Sequence, residues 1–237
     1  QPVLLGHVQG LADEVLVAHR GQHRETEIST NDYEAARTTV QHFLGAAHAD
    51  EIIFTKNATE AINLVAHSWA ADNLEPGDCI AISMAEHHAN IVPWLQIAER
   101  QPDVKIIWIN LTEDGLLDPE ELFTTMRNHR VKLVALTGQS NVLGTRFGIN
   151  EYADFIHEQG ARLLVDAAQL AAHAPINVQD LRCDFLAISG HKLYGPTGIG
   201  ALYASRDAQK EMTPFMGGGG MVQADAAAVG ASDGLRL

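Results

Sequence analysis

Asp184-Phe185-Leu186-Ala187-Ile188-Ser189-Gly190-His191-Lys192 begins as an apolar run and ends on a hydroxyl, an imidazole and an amine. Upstream, Leu163-Leu164-Val165-Asp166-Ala167-Ala168-Gln169 is built the same way and ends on a carboxylate. Runs without polar alternation are what strands buried on both faces look like. Working outward, similar runs recur at Ile52–Thr55, Cys79–Ser83, Lys105–Ile109, Lys132–Thr137 and Ile199–Ala204. Between most of them lie helical patterns at Thr59–Ala70, Asn90–Arg100, Pro119–Arg127 and Ile149–Gln159. Asp118-Pro119-Glu120-Glu121 is a strong helix start, with a capping carboxylate, Pro at the first position and acids in the first turn. Gly160 stands where a helix-ending left-handed residue belongs. Before the first run, Asp32–Leu44 predicts one more helix, opened by Thr30 or Asn31.

This alternation predicts an α/β fold: a three-layer sandwich whose mostly parallel sheet is covered by helices on both faces. The expected organisation is an N-terminal segment (1–30), a large domain (31–215) and a Gly/Ala-rich tail (216–237). Periodicity fails after the last run, around Gly217–Gly220.

Composition narrows the function classes. The 237 residues are 46% hydrophobic and 19% charged, as in a well-cored globular protein. Thirty acids against sixteen bases leave a formal charge of −14, which argues against a nucleic-acid or anionic-membrane surface. No apolar run approaches the roughly 20 residues that span a bilayer. The amphipathic start, Gln1 to Arg20, lacks the basic region and cleavage site of a secretory signal, and with no initiator Met the gene is expected to begin upstream. Cys79 and Cys183 lie far apart in apolar segments, so we expect two reduced core cysteines rather than a disulfide or metal site.

Chemistry is expected at the carboxyl ends of the strands. Three of those ends carry polar groups that packing does not require. Asp166 closes one strand, and Ser189, His191 and Lys192 follow another. Asn57-Ala58-Thr59 opens a helix whose first N–H groups can hold a phosphate. Each has an ordinary explanation as a cap, a turn former or a solvated loop residue. Together, an amine, a carboxylate and a phosphate-binding helix start are what pyridoxal 5'-phosphate (PLP) needs.

In these residues the chain resembles the class V aminotransferase group of fold-type I PLP enzymes. Within it, the resemblance is to the cysteine desulfurases of the sulfur-mobilising, SufS/CsdA-like branch. The matching segments are Ala18 to His23, Asn57 to Leu64, Ala85 to Trp94, Ser140 to Gly144, Val165 to Gln169 and Ser189 to Gly200, in family order across nearly the whole chain.

The resemblance implies that Lys192 carries PLP as a Schiff base and moves the Cα proton. It implies that Asp166 pairs with the pyridine nitrogen and stays ionised. His87 would stack on the ring and shuttle protons; its rival reading is a core or capping histidine. Asn141 and Gln169 would hydrogen-bond the ring hydroxyl oxygen. The Ala58 N–H, Thr59, Ser189 and His191 would hold the phosphate. Ala58 stands where many relatives have Thr, so one side-chain hydroxyl is lost.

The implied reaction takes L-cysteine to alanine in a cytoplasmic homodimer serving iron–sulfur cluster assembly, with a sulfur-acceptor protein as a further partner. The family's nucleophilic cysteine and carboxylate-clamping arginine belong to a C-terminal region not found in these residues, and neither Cys79 nor Cys183 matches that cysteine. An N-terminal strand and a phosphate-binding Thr from the neighbouring subunit are not found either. Another class V activity (selenocysteine lyase, aminotransferase or racemase-like) and a non-catalytic PLP- or partner-binding protein stay open as alternatives.

Overall fold

A computed structural model describes residues 24–216. The expectations for the His19-Arg20-Gly21 segment, for most of the 1–30 segment and for the 217–237 tail lie outside them.

A seven-stranded sheet forms the middle layer: β1 (Ile52–Thr55), β2 (Asp78–Ser83), β3 (Lys105–Ile109), β4 (Arg130–Thr137), β5 (Arg162–Asp166), β6 (Phe185–Ser189) and β7 (Gly200–Ala204). Its order is β1-β7-β6-β5-β4-β2-β3. Strands β3, β2, β4, β5 and β6 are parallel, and β7 runs antiparallel to both β6 and β1. All strands but β7 therefore share one direction, as a mostly parallel sheet requires. The chain steps outward from β2 to β3 and then inward to β4, so the order reverses between β2 and β4.

Among the described residues the α-helices of four or more residues are α1 (Arg24–Leu44), α2 (Ala58–Val65), α3 (Val92–Arg100), α4 (Pro119–Asn128), α5 (Asn150–Glu158), and the short α6 (Leu170–His173), α7 (Val178–Leu181) and α8 (Arg206–Gln209). One core joins residues of α1, α4, α5, α6 and α7 to one face of the sheet. A second joins α2, α3 and α8 to the other. The alternation of Leu163 and Val165 with Leu164 between the two cores is the two-residue period of a strand covered on both sides.

Three local findings depart from the sequence reading. Helix α1 starts at Arg24, not after Thr30 or Asn31, and so runs through the 30/31 boundary. No Gly or Pro interrupts Arg24–Leu44, and exposed polar residues are tolerated inside a helix even where apolar periodicity is absent. Helix α2 passes into a π-helical turn at Ala66–Ala70. That turn carries Trp69, whose indole N–H donates to Glu211 (2.8 Å). In β4 the register shifts against β2 so that Ile80 faces Leu133 although Cys79 faces Val131. Lys132 is the extra residue of a bulge, which keeps Val131 and Val134 on one face and Leu133 on the other.

The Asp118 cap is as expected, accepting from Glu120 N (3.0 Å) and Glu121 N (3.2 Å). Gly160 has φ +75°. Both cysteines are buried and unbridged. No helix among the described residues is long and apolar enough to cross a membrane.

Candidate active site

A cavity of about 160 Å³ opens at the carboxyl edge of the parallel strands. Every candidate site residue from the sequence lines it. Ala58 and Thr59 come from the start of α2, His87 from the turn after β2, and Asn141 from the loop after β4. Asp166 and Gln169 come from the end of β5 and the turn that follows. Ser189, His191 and Lys192 come from the end of β6 and the 3-10 turn Gly190–Leu193.

The start of α2 is built by close approach. Asn57 caps the helix, its Oδ1 accepting from Glu60 N (2.8 Å). Beneath it, a Cβ on Gly200 would lie 2.5 Å from the Ile188 carbonyl and 2.6 Å from Asn57 Cα, so only glycine lets β7 pass this close. The Ala58 N–H donates to Ser189 Oγ (2.8 Å), tying the helix to the end of β6. The Ser189 O–H is left to donate elsewhere, and Thr59 contributes its N–H and hydroxyl at a helix start, where negative charge is favoured.

The turn that presents Lys192 is closed by backbone bonds. Gly190 N donates to Ile199 O (2.8 Å), and Gly195 N to Gly190 O (2.9 Å). Tyr194 ends the turn in the left-handed region (φ +63°), a conformation non-glycine residues adopt only under local constraint. Lys192 makes no ion pair or hydrogen bond among the described residues. Its amine is exposed at the cavity.

Asp166 is buried, and its Oδ1 accepts the Ala168 N–H (2.9 Å). Burial pushes its carboxyl above the ordinary range, opposed by the Ala168 N–H and by positive charge at His87 and Lys192. Oδ2 makes no hydrogen bond among the described residues. A cationic N–H donor entering the cavity would find there an acceptor of a buried residue with no competing partner among the described residues.

His87 is both a cap and a cavity wall: its Nδ1 accepts the Ala89 N–H (3.1 Å). The capping reading of His87 is thus observed, and capping does not remove the residue from the cavity wall.

Asn57, which opens the helix, also lines the cavity, as do Ala89, Thr137, Gln139 and Ala168, to which the sequence reading gives no role. Thr137 ends β4 as Asp166 ends β5, and that strand-end position was the available signal. Gln139 pairs with Arg146 across a β-bridge, its Oε1 accepting from the guanidinium (3.2 Å).

Both cysteines lie away from this cavity's lining, and burial raises each thiol above its usual range.

Comparison with known proteins agrees with this architecture. The family described as Aminotransferase class-V matches residues 1–229. The chain is 45% identical over 210 residues to a cysteine desulfurase of Pectobacterium atrosepticum, covering 89% of this chain and 51% of that protein. The structure of cysteine desulfurase CsdA from Escherichia coli superposes with a TM-score of 0.79 at 42% identity, over 92% of this chain and 53% of that one. A structure of SspA in complex with cysteine matches with a TM-score of 0.76 at 30% identity, over 85% of this chain and 57% of that one. The chain thus spans about half the length of the curated relative it matches here.

Proposed function

The chain belongs to the aminotransferase class-V family, and from that membership we propose that it is the cofactor-holding part of a PLP-dependent cysteine desulfurase. The observation that carries this reading is the meeting of Lys192, Asp166, His87 and the α2 start around one cavity. The matched relatives, two named as cysteine desulfurases and one solved with cysteine, favour L-cysteine as substrate.

The donor set fits PLP: an amine and a carboxylate oxygen of a buried residue, each without a partner among the described residues, and an anion-favouring helix start. When bound, the cofactor supplies a carbonyl that takes up amino groups and a ring that draws electrons from the substrate Cα. Lys192 Nζ would hold it covalently and, once displaced by the substrate's amino group, take the Cα proton. Asp166 Oδ2 would accept the ring N–H, a cationic partner that offsets the cost of burying an ionised carboxylate. The His87 ring would pack on the cofactor's face, with Asn141 and Gln169 donating to the ring hydroxyl oxygen. Thr59, the Ser189 O–H and His191 would donate to the phosphate, and the Ala58 N–H would act by aiming the Ser189 hydroxyl.

The substrate's C–S bond then breaks, the sulfur passing to a thiolate and the carbon taking a proton to give alanine. Cys79 and Cys183 are poor candidates for that thiolate, because burial disfavours their ionised form. We assign the sulfur-accepting thiol to residues beyond these 237. On the same grounds we propose a cytoplasmic homodimer that hands sulfur to an acceptor protein, and a large domain within residues 31–215.

Reconstitution with PLP is expected to give a visible absorbance band, and borohydride reduction with peptide mapping to place the label on Lys192. Lys192→Ala should abolish the band and leave the far-UV circular dichroism unchanged. Label spread over surface lysines, or an unchanged band in the variant, sinks the reading. Alanine release from L-cysteine by the whole protein tests the substrate.

A further inference from the structure

Glu86 lies next to His87 in the chain, is buried, and has no part in the chemistry above. Three donors from three segments converge on it. Ser83 Oγ at the end of β2 donates to Oε1 (2.5 Å), as does the Thr137 N–H at the end of β4 (2.8 Å). Asn90 Nδ2 donates to Oε2 (2.6 Å). Asn90 is itself fixed, its Oδ1 accepting the indole N–H of the buried Trp94 (3.1 Å). Thr137 and His87 both line the cavity.

We infer that Glu86 is a positioning residue of the cavity, its carboxyl group pinning the 84–90 turn, and with it His87, to the end of β4. This inference rests on the PLP reading of the site. Side-chain chemistry makes Glu86 hard to replace. The Asn90 amide cannot turn over without losing Trp94, so it must always donate toward residue 86. Ser83 Oγ accepts the Ala85 N–H (3.1 Å) and has a rotatable proton, so it can donate to an ionised Glu86 or accept from a neutral one. A glutamine would turn one amide donor onto another.

Glu86 therefore holds its place in either charge state, and that charge is felt in the site. The charged group that acts on it is Asp166 at the end of β5; His87 and His88 follow it in the chain and are exposed. Beyond Asp166 come His191 and Lys192 in the turn after β6. Strands β2 and β4 present only Ser83 and Thr137, which carry no charge. Burial pushes Glu86 up to about 8, its three donors opposing and the Asp166 charge adding to the rise. It thus changes charge in the pH range in which a lysine-bound chromophore would be titrated.

The test compares wild type, Glu86→Gln and the double variant Glu86→Gln/Asn90→Asp, each loaded with PLP. In the double variant the introduced amide at position 86 donates to the introduced carboxylate at position 90. That carboxylate also keeps the Trp94 indole, so packing is restored while the charge moves away from Thr137. The readouts are the thermal midpoint of the apo protein and the pH midpoint of the visible band.

Below about pH 8 Glu86 is neutral and glutamine changes no charge; above it, the wild type carries a negative charge that favours the protonated chromophore and the variant does not. Glu86→Gln is therefore expected to lower the band's midpoint by about 0.5–1 pH unit and to lower the thermal midpoint. The double variant should recover thermal stability while its band midpoint stays displaced. Recovery of both midpoints, or a band midpoint unmoved by Glu86→Gln, overturns the inference. Failure of both variants to fold overturns it in favour of a purely structural acid. If wild type does not take PLP on Lys192, the cofactor reading itself fails. Binding at Lys192 with indifferent variants sinks only the role of Glu86.

Discussion

Single residues in this site are polar groups set against an apolar background, and that contrast made Asp166 and Lys192 legible. A carboxylate or an amine closing a buried strand has no packing reason to be there. Glu86 carried no such signal. Among Glu86-His87-His88-Ala89-Asn90 it reads as a solvated turn, and its burial comes from β4, whose Thr137 N–H reaches it from a distant part of the chain. Asp166→Ala should weaken PLP binding roughly 10- to 100-fold, the equivalent of one charge-assisted hydrogen bond, as read by absorbance titration. Ser189→Ala leaves the Ala58 N–H without its acceptor. It should cost about 1–3 kcal/mol in denaturant unfolding, and weaken PLP binding as well.

At the scale of elements, strands and most helices follow from periodicity and caps, while irregularities follow from contacts. Asp118 caps α4 through bonds to residues two and three positions on, a local device visible in the chain itself. Asp118→Ala should therefore cost about 1 kcal/mol of stability and leave PLP binding unchanged, since no residue of α4 lines the cavity. The β4 bulge at Lys132 and the π-turn around Trp69 are different. The first is a register choice against β2, and the second places an indole against Glu211, a partner far along the chain. The early start of α1 marks the limit of pattern reading: an exposed polar helix has no apolar stripe to announce it.

For the molecule as a whole, two cores clamp a sheet whose carboxyl edge gathers acids and donors, and that edge makes stability depend on pH. Glu86 titrates at about 8 when folded against an ordinary 4.5, and Asp166 is also raised. A raised folded value means that the contribution is complete below the unfolded value and is lost as pH rises through the folded one. Apo-protein stability is thus expected to fall between pH 5 and pH 9 by about 2–4 kcal/mol. Glu86→Gln should flatten that slope. Chemical denaturation across this range checks it; an equally steep slope in the variant would assign the effect elsewhere. On the acid side, Glu60 and Glu211 are lowered by their Lys56 and Arg162 surroundings, and their contribution is lost as pH falls.

The layered α/β class, the strands and the chemistry-bearing residues that end them are legible in the chain alone. Those depend on near neighbours: a two-residue period, a cap three positions on, a polar group after an apolar run. The strand order, with β7 reversed between β1 and β6, and the convergence on one cavity of residues from the start of α2 to the turn after β6 come from the folded chain. So do the turning of the Ala58 N–H to Ser189 and the burial of Glu86 beneath His87. Each of these depends on which distant segment supplies the partner for a hydrogen bond or the cover for a charge, and pairing between distant segments is set by packing the whole chain.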